Sequence, residues 1–192
     1  MALEFGVAKT SELPQLVELL GVLFEQEAEF MPNAAKQENA LKLIFSDSSR
    51  AKIYVARDGR KVVAMASLLF TISTAEGGKA ALFEDLVVRP DYRKQGIGAQ
   101  LLKYVIEQAR AEGVLRVTLL TDMQNERAQA LYRKMGFVGS PMKPMRLRFK
   151  KATEPSTGLK PRGQSAKRAR RSGVFDALQA KLRALTRKPK QF

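Results

Sequence analysis

A chain of 192 residues with 45% apolar content is long enough for one domain with a proper core plus an appendage. It contains no cysteine and no histidine, which excludes disulfides, a thiolate nucleophile, zinc–thiolate sites and the commonest general base, so acid–base chemistry falls to Glu, Asp, Tyr, Lys, water or backbone. The formal charge of +15 is unevenly placed, with +5 on residues 1–150 and +10 on residues 151–192, so the basicity belongs mainly to the C-terminal tail.

Residues 3–7 alternate as a short strand. Ser11 stands where it can cap a helix whose apolar positions Leu16, Val17, Leu20, Leu23 and Phe24 recur at helical spacing, with Pro14 in the first turn. The acidic stretch that follows puts Glu25 and Glu29 on one helix face, able to hold a cationic amine, although a solvated helix end is the plainer reading. Asn33 is a cap for a second helix with Ala40, Leu41, Ile44 and Phe45 on its apolar side. Strands are expected at residues 53–57 and 62–72, joined by the turn signal Asp58-Gly59. The longest apolar run, residues 62–72, is too short to span a bilayer, and the N-terminus shows no secretory pattern, so a cytoplasmic protein is expected. A further turn at Glu76-Gly77-Gly78-Lys79 leads into an apolar strand that carries two adjacent acids, Glu84 and Asp85.

The next segment, Arg93-Lys94-Gln95-Gly96-Ile97-Gly98, lies between that strand and an amphipathic helix over residues 97–112. Strand, basic glycine turn and helix together are a way of building an anion site, the plainer reading being an ordinary strand-to-helix turn with glycines for tightness. The glycines allow close backbone approach, and the first helical N–H groups lack internal partners at the positive end of the dipole. The turn is not a dinucleotide fingerprint, because Gly96-Ile97-Gly98 lacks the third glycine, and no Gly-Lys-Ser/Thr follows to make a P-loop. Ile97, Leu101, Leu102, Val105, Ile106 and Ala109 form the buried face of the helix, and Gly113 ends it. A strand at 115–121, a helix at 125–135 and strand pieces near 137–139 and 145–149 complete the order β-α-α-β-β-β-α-β-α-β, an α/β domain with a mixed sheet.

Three features of residues 84–137 together resemble the GNAT superfamily of N-acetyltransferases. They are the acidic strand ending in Val88-Arg89-Pro90, the Arg-x-x-Gly-x-Gly turn, and the run Asn125-Glu126-Arg127-Ala128 through Tyr132 to Gly136-Phe137. The flanking pattern extends the resemblance over residues 1–150. It implies the GNAT fold and acetyl-CoA as co-substrate, with no metal. By motif position, Gln95, Gly96, Gly98 and Ala99 supply N–H donors to the pyrophosphate, and Arg93 and Lys94 add positive charge. Strand residues Leu86, Val87 and Val88 pair their backbone with the pantetheine arm, chiefly Leu86 and Val88. Asn125 contacts the pantetheine or the adenosine side, or simply caps its helix. Tyr132 takes the family's general-acid position.

Glu84 matches the acidic position that drains the amine's proton in several GNAT branches. Asp85, its neighbour, is a substrate-side residue that faces the other side of the sheet unless a bulge intervenes, and which of the two handles the proton stays open. The implied reaction is direct acetyl transfer to a primary amine in a ternary complex, with a small cationic amine as the acceptor. A protein or peptide amine is the alternative. A different class of function is a non-catalytic CoA-binding adaptor with a nucleic-acid-binding tail.

Residues 151–173 read as a flexible basic linker, with Pro155, Gly158, Pro161 and Gly163 among Ser and Thr. Val174, Phe175, Leu178, Leu182 and Leu185 then recur at helical spacing, so a basic amphipathic helix is expected at 174–188. Such a tail fits a solubilising extension, then nucleic acid or the ribosome, then a membrane surface. With only Phe175 and Phe192 as aromatics it makes no base-stacking platform. A homodimer is left open by the sequence.

Overall fold

The computed structural model describes residues 2–26 and 30–149. The chain divides into two compact units, Met1–Pro141 and Met142–Phe192. Of the second, only residues 142–149 are described, and they are exposed and carry no helix or strand. The linker expected at 151–173 and the helix expected at 174–188 lie outside the described residues.

In the first unit the elements run β1 (Glu4–Val7), a 3-10 turn (Thr10–Glu12), α1 (Leu13–Phe24), α2 (Ala34–Ser46), β2 (Ala51–Asp58), β3 (Lys61–Ser73) and β4 (Gly78–Val88). A second 3-10 turn (Pro90–Tyr92), α3 (Ile97–Ala111), β5 (Arg116–Leu119) and α4 (Glu126–Lys134) follow. The sheet order is β1-β2-β3-β4-β5; the first four strands are antiparallel and β5 is parallel to β4. Parallel pairing needs a crossover, and α3 supplies it.

The alternation of side chains splits the core between the two sheet faces. On one face Leu16, Leu19, Leu20 and Leu41 from α1 and α2 cover Ile53, Val55, Met65 and Val87. On the other, Ile97, Leu101, Leu102 and Val105 of α3 cover Tyr54, Ala64, Ala66 and Phe83, with Leu131 and Tyr132 of α4 at the margin. Asn33 caps α2 as expected: its side chain accepts from the Lys36 N–H at 3.0 Å while Gln37 Oε1 accepts from its own N–H at 2.8 Å. Gly113, at φ 73, ends α3, with Gly113 N–H donating to Arg110 O and Val114 N–H to Ala109 O, both at 3.0 Å.

Three expectations are corrected. Ser11 caps nothing; Glu12 reaches back to accept from the Lys9 N–H at 2.7 Å, which closes a 3-10 turn ahead of α1. Ala40 is exposed, and the buried polar residue of α2 is Gln37, held there by its bond to Asn33. Glu25, expected to share a helix face with Glu29, is an exposed turn residue just past the end of α1 at Phe24, and Glu29 lies outside the described residues.

The last strand pieces do not form either. Gly136, at φ 92, turns the chain so that Phe137 N–H donates to Tyr132 O at 3.0 Å. Phe137 thus closes the end of α4 rather than opening a strand. Met145, Leu147 and Phe149 are exposed, and no strand among the described residues pairs with them. No helix among the described residues is long and apolar enough to cross a membrane.

Candidate active site

The sheet forks. β5 pairs with β4 only from Ala80 to Phe83, opposite Arg116 to Leu119, yet β4 runs on to Val88. Residues 84–88 therefore keep β3 on one side and, among the described residues, no strand on the other. Arg89 N–H donates to Val63 O of β3 at 2.8 Å, so the alternation of the ladder turns Val87 toward β3 and the backbone of Leu86 and Val88 toward the open edge. Val88 O accepts there from Arg93 Nε at 3.1 Å.

A β-bulge sits at the fork. Met65 pairs with Val87 and Ser67 with Glu84, so Asp85 and Leu86 both oppose Ala66. Asp85 takes up the extra residue at φ 58, a left-handed conformation that Asp tolerates better than most residues. The bulge switches the parity of the strand. Phe83 belongs to the α3-side core and so do Leu86 and Val88, whereas Val87 belongs to the α1–α2 side. Glu84, alternating with Phe83, lies on the α1–α2 side. Asp85 joins it, because its Oδ2 accepts at 2.8 Å from the hydroxyl of Ser67, which shares that face with Met65. The two carboxylates stand on one face only because the bulge intervenes. Burial raises the Asp85 carboxyl above its usual range, and the Ser67 bond offsets part of that rise.

The glycine turn leads straight into α3. Lys94 has φ 62 and Gly96 φ 75, and Gly96 is the N-cap residue, with no side-chain cap. The first intrahelical bond runs from Gln100 N–H to Gly96 O at 3.1 Å, so the N–H groups of Ile97, Gly98 and Ala99 have no partner within the helix. Arg93 is half-buried against Val88 O, while Lys94, Gln95 and Gly96 are exposed. A Cβ at Gly98 would meet Val88 Cγ2 at 3.5 Å, an ordinary contact. The protein's own packing therefore does not demand glycine at this position. Gly98 and Arg93 both meet Val88, so the helix start adjoins the open edge of β4.

Tyr132, on α4, occupies the fork. Its ring stands edge-on to Phe83, the last residue of β4 paired with β5, with centroids 6.5 Å apart, and edge-on to Phe137 at 5.9 Å. Its hydroxyl makes no hydrogen bond among the described residues, and burial pushes its pKa up, so the phenol stays protonated. Asn125 is exposed and caps α4, its Oδ1 accepting from the Ala128 N–H at 3.1 Å. The fold thus brings Glu84, Asp85, Leu86, Val88, Arg93, Gly98 and Tyr132 around one fork; Glu25 takes no part in any of these contacts. Ser67 is the residue that pattern reading missed. Its signal was a hydroxyl in the middle of the apolar run of residues 62–72, where Thr71 is the other.

Comparison with known proteins agrees with this geometry. Residues 15–137 match the acetyltransferase (GNAT) family. The glucosamine 6-phosphate N-acetyltransferase of Trypanosoma brucei brucei is 30% identical over 139 residues, which cover 70% of this chain and 88% of that protein. The thialysine N-epsilon-acetyltransferase of Bos taurus is 38% identical over 78 residues, 41% of this chain and 45% of that one. A solved acetyltransferase of Trypanosoma brucei superposes with a TM-score of 0.60 at 28% identity, covering 77% of this chain and 100% of its own. A match over most of the first unit, on a sheet that forks beside a glycine turn, settles the family: this chain belongs to the GNAT family and is an acetyl-CoA-dependent N-acetyltransferase.

Proposed function

We propose that the first unit transfers an acetyl group directly to a primary amine of a small cationic molecule, within a ternary complex. The observation that carries this reading is the open edge of β4 running into the free N–H groups of α3. The outward backbone of Leu86 and Val88 is placed to pair with an extended amide-bearing arm, as a strand would. Gln95, Gly96, Gly98 and Ala99 then lie where backbone N–H groups receive a pyrophosphate, with Arg93 and Lys94 adding charge. Asn125 keeps its capping bond in this arrangement and has an amide nitrogen left to donate. Acetyl-CoA, when bound, supplies an activated thioester.

The rest falls to side chains. Glu84, or Asp85 beside it, accepts the proton that the amine sheds as its nitrogen bonds to the carbonyl carbon. Tyr132 donates its O–H to the sulfur as the carbon–sulfur bond breaks. With its pKa above the ordinary 10.0, full transfer from Tyr132 to a thiolate of about 8.5 is uphill. Hydrogen-bond donation to the developing negative charge is the part this environment favours. Two carboxylates on the acceptor side fit a cationic amine. Two relatives are named for small-molecule acceptors, glucosamine 6-phosphate and thialysine.

Calorimetric titration with acetyl-CoA, followed by free-thiol release over polyamines, amino-acid derivatives and amino sugars, tests the proposal. Binding with thiol release on one small-amine class is expected. Binding with release only on peptide amines would move the acceptor to a macromolecule, and no binding would overturn the assignment of the β4 edge.

A further inference from the structure

The turn at residues 93–96 is exposed and partly left-handed. Lys94, at φ 62, sits in a conformation that a side chain disfavours and that persists only where its surroundings hold it. Within the segment, support comes from Arg93 Nε on Val88 O at 3.1 Å and Gln95 Nε2 on Asp91 O at 3.4 Å. The other supports come from the β2–β3 hairpin. Tyr92 donates its hydroxyl to Asp58 Oδ2 at 2.9 Å. Lys61 Nζ pairs with Asp91 Oδ2 at 2.9 Å and lies 4.8 Å from the centre of the Tyr92 ring.

The hairpin is itself anchored. Gln15 of α1 accepts from the Val62 N–H at 2.8 Å and donates to Arg60 O at 3.2 Å. A chain of contacts thus runs from α1 through the hairpin to the residue immediately before Arg93. The Lys61–Asp91 pair is exposed and contributes little. The Tyr92–Asp58 bond, donated to a carboxylate, is the stronger link.

We propose that Tyr92 and Asp58 form a latch that sets the turn at residues 93–96 in register for the cofactor's pyrophosphate. They are positioning residues, acting through the turn and touching no reacting atom. This rests on the reading of the turn given under Proposed function. Losing the latch frees the turn to relax, so a pyrophosphate-bearing ligand must then reorder it on binding. The thioester end, bound along β4, is untouched.

The test uses the full chain with two probes, CoA and S-acetylpantetheine, which lacks the pyrophosphate. Tyr92→Phe keeps the ring and removes only the hydroxyl; Asp58→Ala removes the acceptor from the other side. Each is expected to weaken CoA binding by about 5- to 10-fold, leave S-acetylpantetheine binding unchanged and raise KM for acetyl-CoA in proportion. The kcat at saturation, the acceptor KM and Tm stay near wild type. The double variant is expected to be no weaker than the worse single one, because both cut the same bond.

Undiminished CoA affinity in folded variants, equal loss for the two probes, or additive losses would each overturn the latch. If wild type bound the two probes equally well, the pyrophosphate reading of the turn would fall and the latch with it.

Discussion

Asp85 concentrates the cost of this site in one residue. It holds a left-handed backbone, and its buried carboxyl resists ionisation in the folded state. An unfolded aspartate ionises near pH 3.9. As pH rises from there through the raised folded value, unfolding releases a proton and stability falls; below that window Asp85 is neutral in both states and costs nothing. Asp85→Asn keeps the acceptor for Ser67 and suits the left-handed position. It is expected to raise Tm at pH 7 by about 2–4 °C and to lower turnover, the usual exchange at an active site. A Tm gain that did not shrink toward pH 4 would break the link to ionisation. Tyr132→Phe probes the opposite partner. The ring contacts with Phe83 and Phe137 survive, so stability and acetyl-CoA affinity should hold while kcat falls by about 10²-fold or more. A kcat within threefold of wild type would remove Tyr132 from the chemistry.

At the scale of elements, α3 separates folding from function. Gly98 has no left-handed φ, and an added Cβ would find an ordinary 3.5 Å contact. Gly98→Ala is therefore expected to leave Tm unchanged or raise it, since alanine is worth up to about 1 kcal/mol more in a helix. Acetyl-CoA affinity should nevertheless fall by about tenfold or more, because the methyl stands among the free N–H groups. Calorimetry beside a melting curve decides it: retained affinity would mean that no ligand approaches there. Elements of this kind were legible in the sequence. The Asn33 cap, the Gly113 stop and the periodicity of Leu101, Leu102 and Val105 are local signals, read within a few residues. The bulge at Asp85 was not legible, because it is a mismatch between two strands and exists only once β3 is paired with β4.

Over the whole molecule, a buried ion pair ties the first turn to the sheet. Arg57 Nε and Nη2 meet Glu12 Oε1 and Oε2 at 2.6 and 3.0 Å, and Nη2 also donates to Val7 O at 2.9 Å. Arg57 is 5% exposed and Glu12 8%. Burial alone would raise the Glu12 carboxyl, but Arg57 and the Lys9 N–H outweigh it and hold the pKa below the usual range. Glu12 therefore contributes stability above its unfolded pKa, and this is lost as pH falls through the lower folded value. Glu12→Gln leaves Arg57 without its buried counter-charge and is expected to cost about 3–5 kcal/mol. Urea unfolding at pH 7 and again at pH 3 checks it: the gap between wild type and variant should narrow in acid. At the other end of the sheet, Lys52, Lys79 and Tyr54 converge on Glu112 at the end of α3, holding the crossover helix to β2 and β4.

By itself the sequence determined the helices of the first unit, the Asn33 and Asn125 caps and the glycine turn, because each rests on neighbours within one or two turns of chain, and the motif that marks the family, because it is a string of such local pieces. It also named Glu84, Leu86, Val88, Arg93, Gly98 and Tyr132 as candidates. Only the tertiary structure decided how they stand to one another. The fork after Phe83 opens the β4 edge, and the bulge brings Asp85 round to Ser67 on the face of Glu84. The hairpin reaches across to grip Tyr92. The tertiary structure also ended α1 before Glu25 and left Met145, Leu147 and Phe149 out of the sheet. The physical reason is the range of the forces involved. Capping and periodicity act within a few residues, while strand register and buried charge pairing join residues 18 to 45 positions apart.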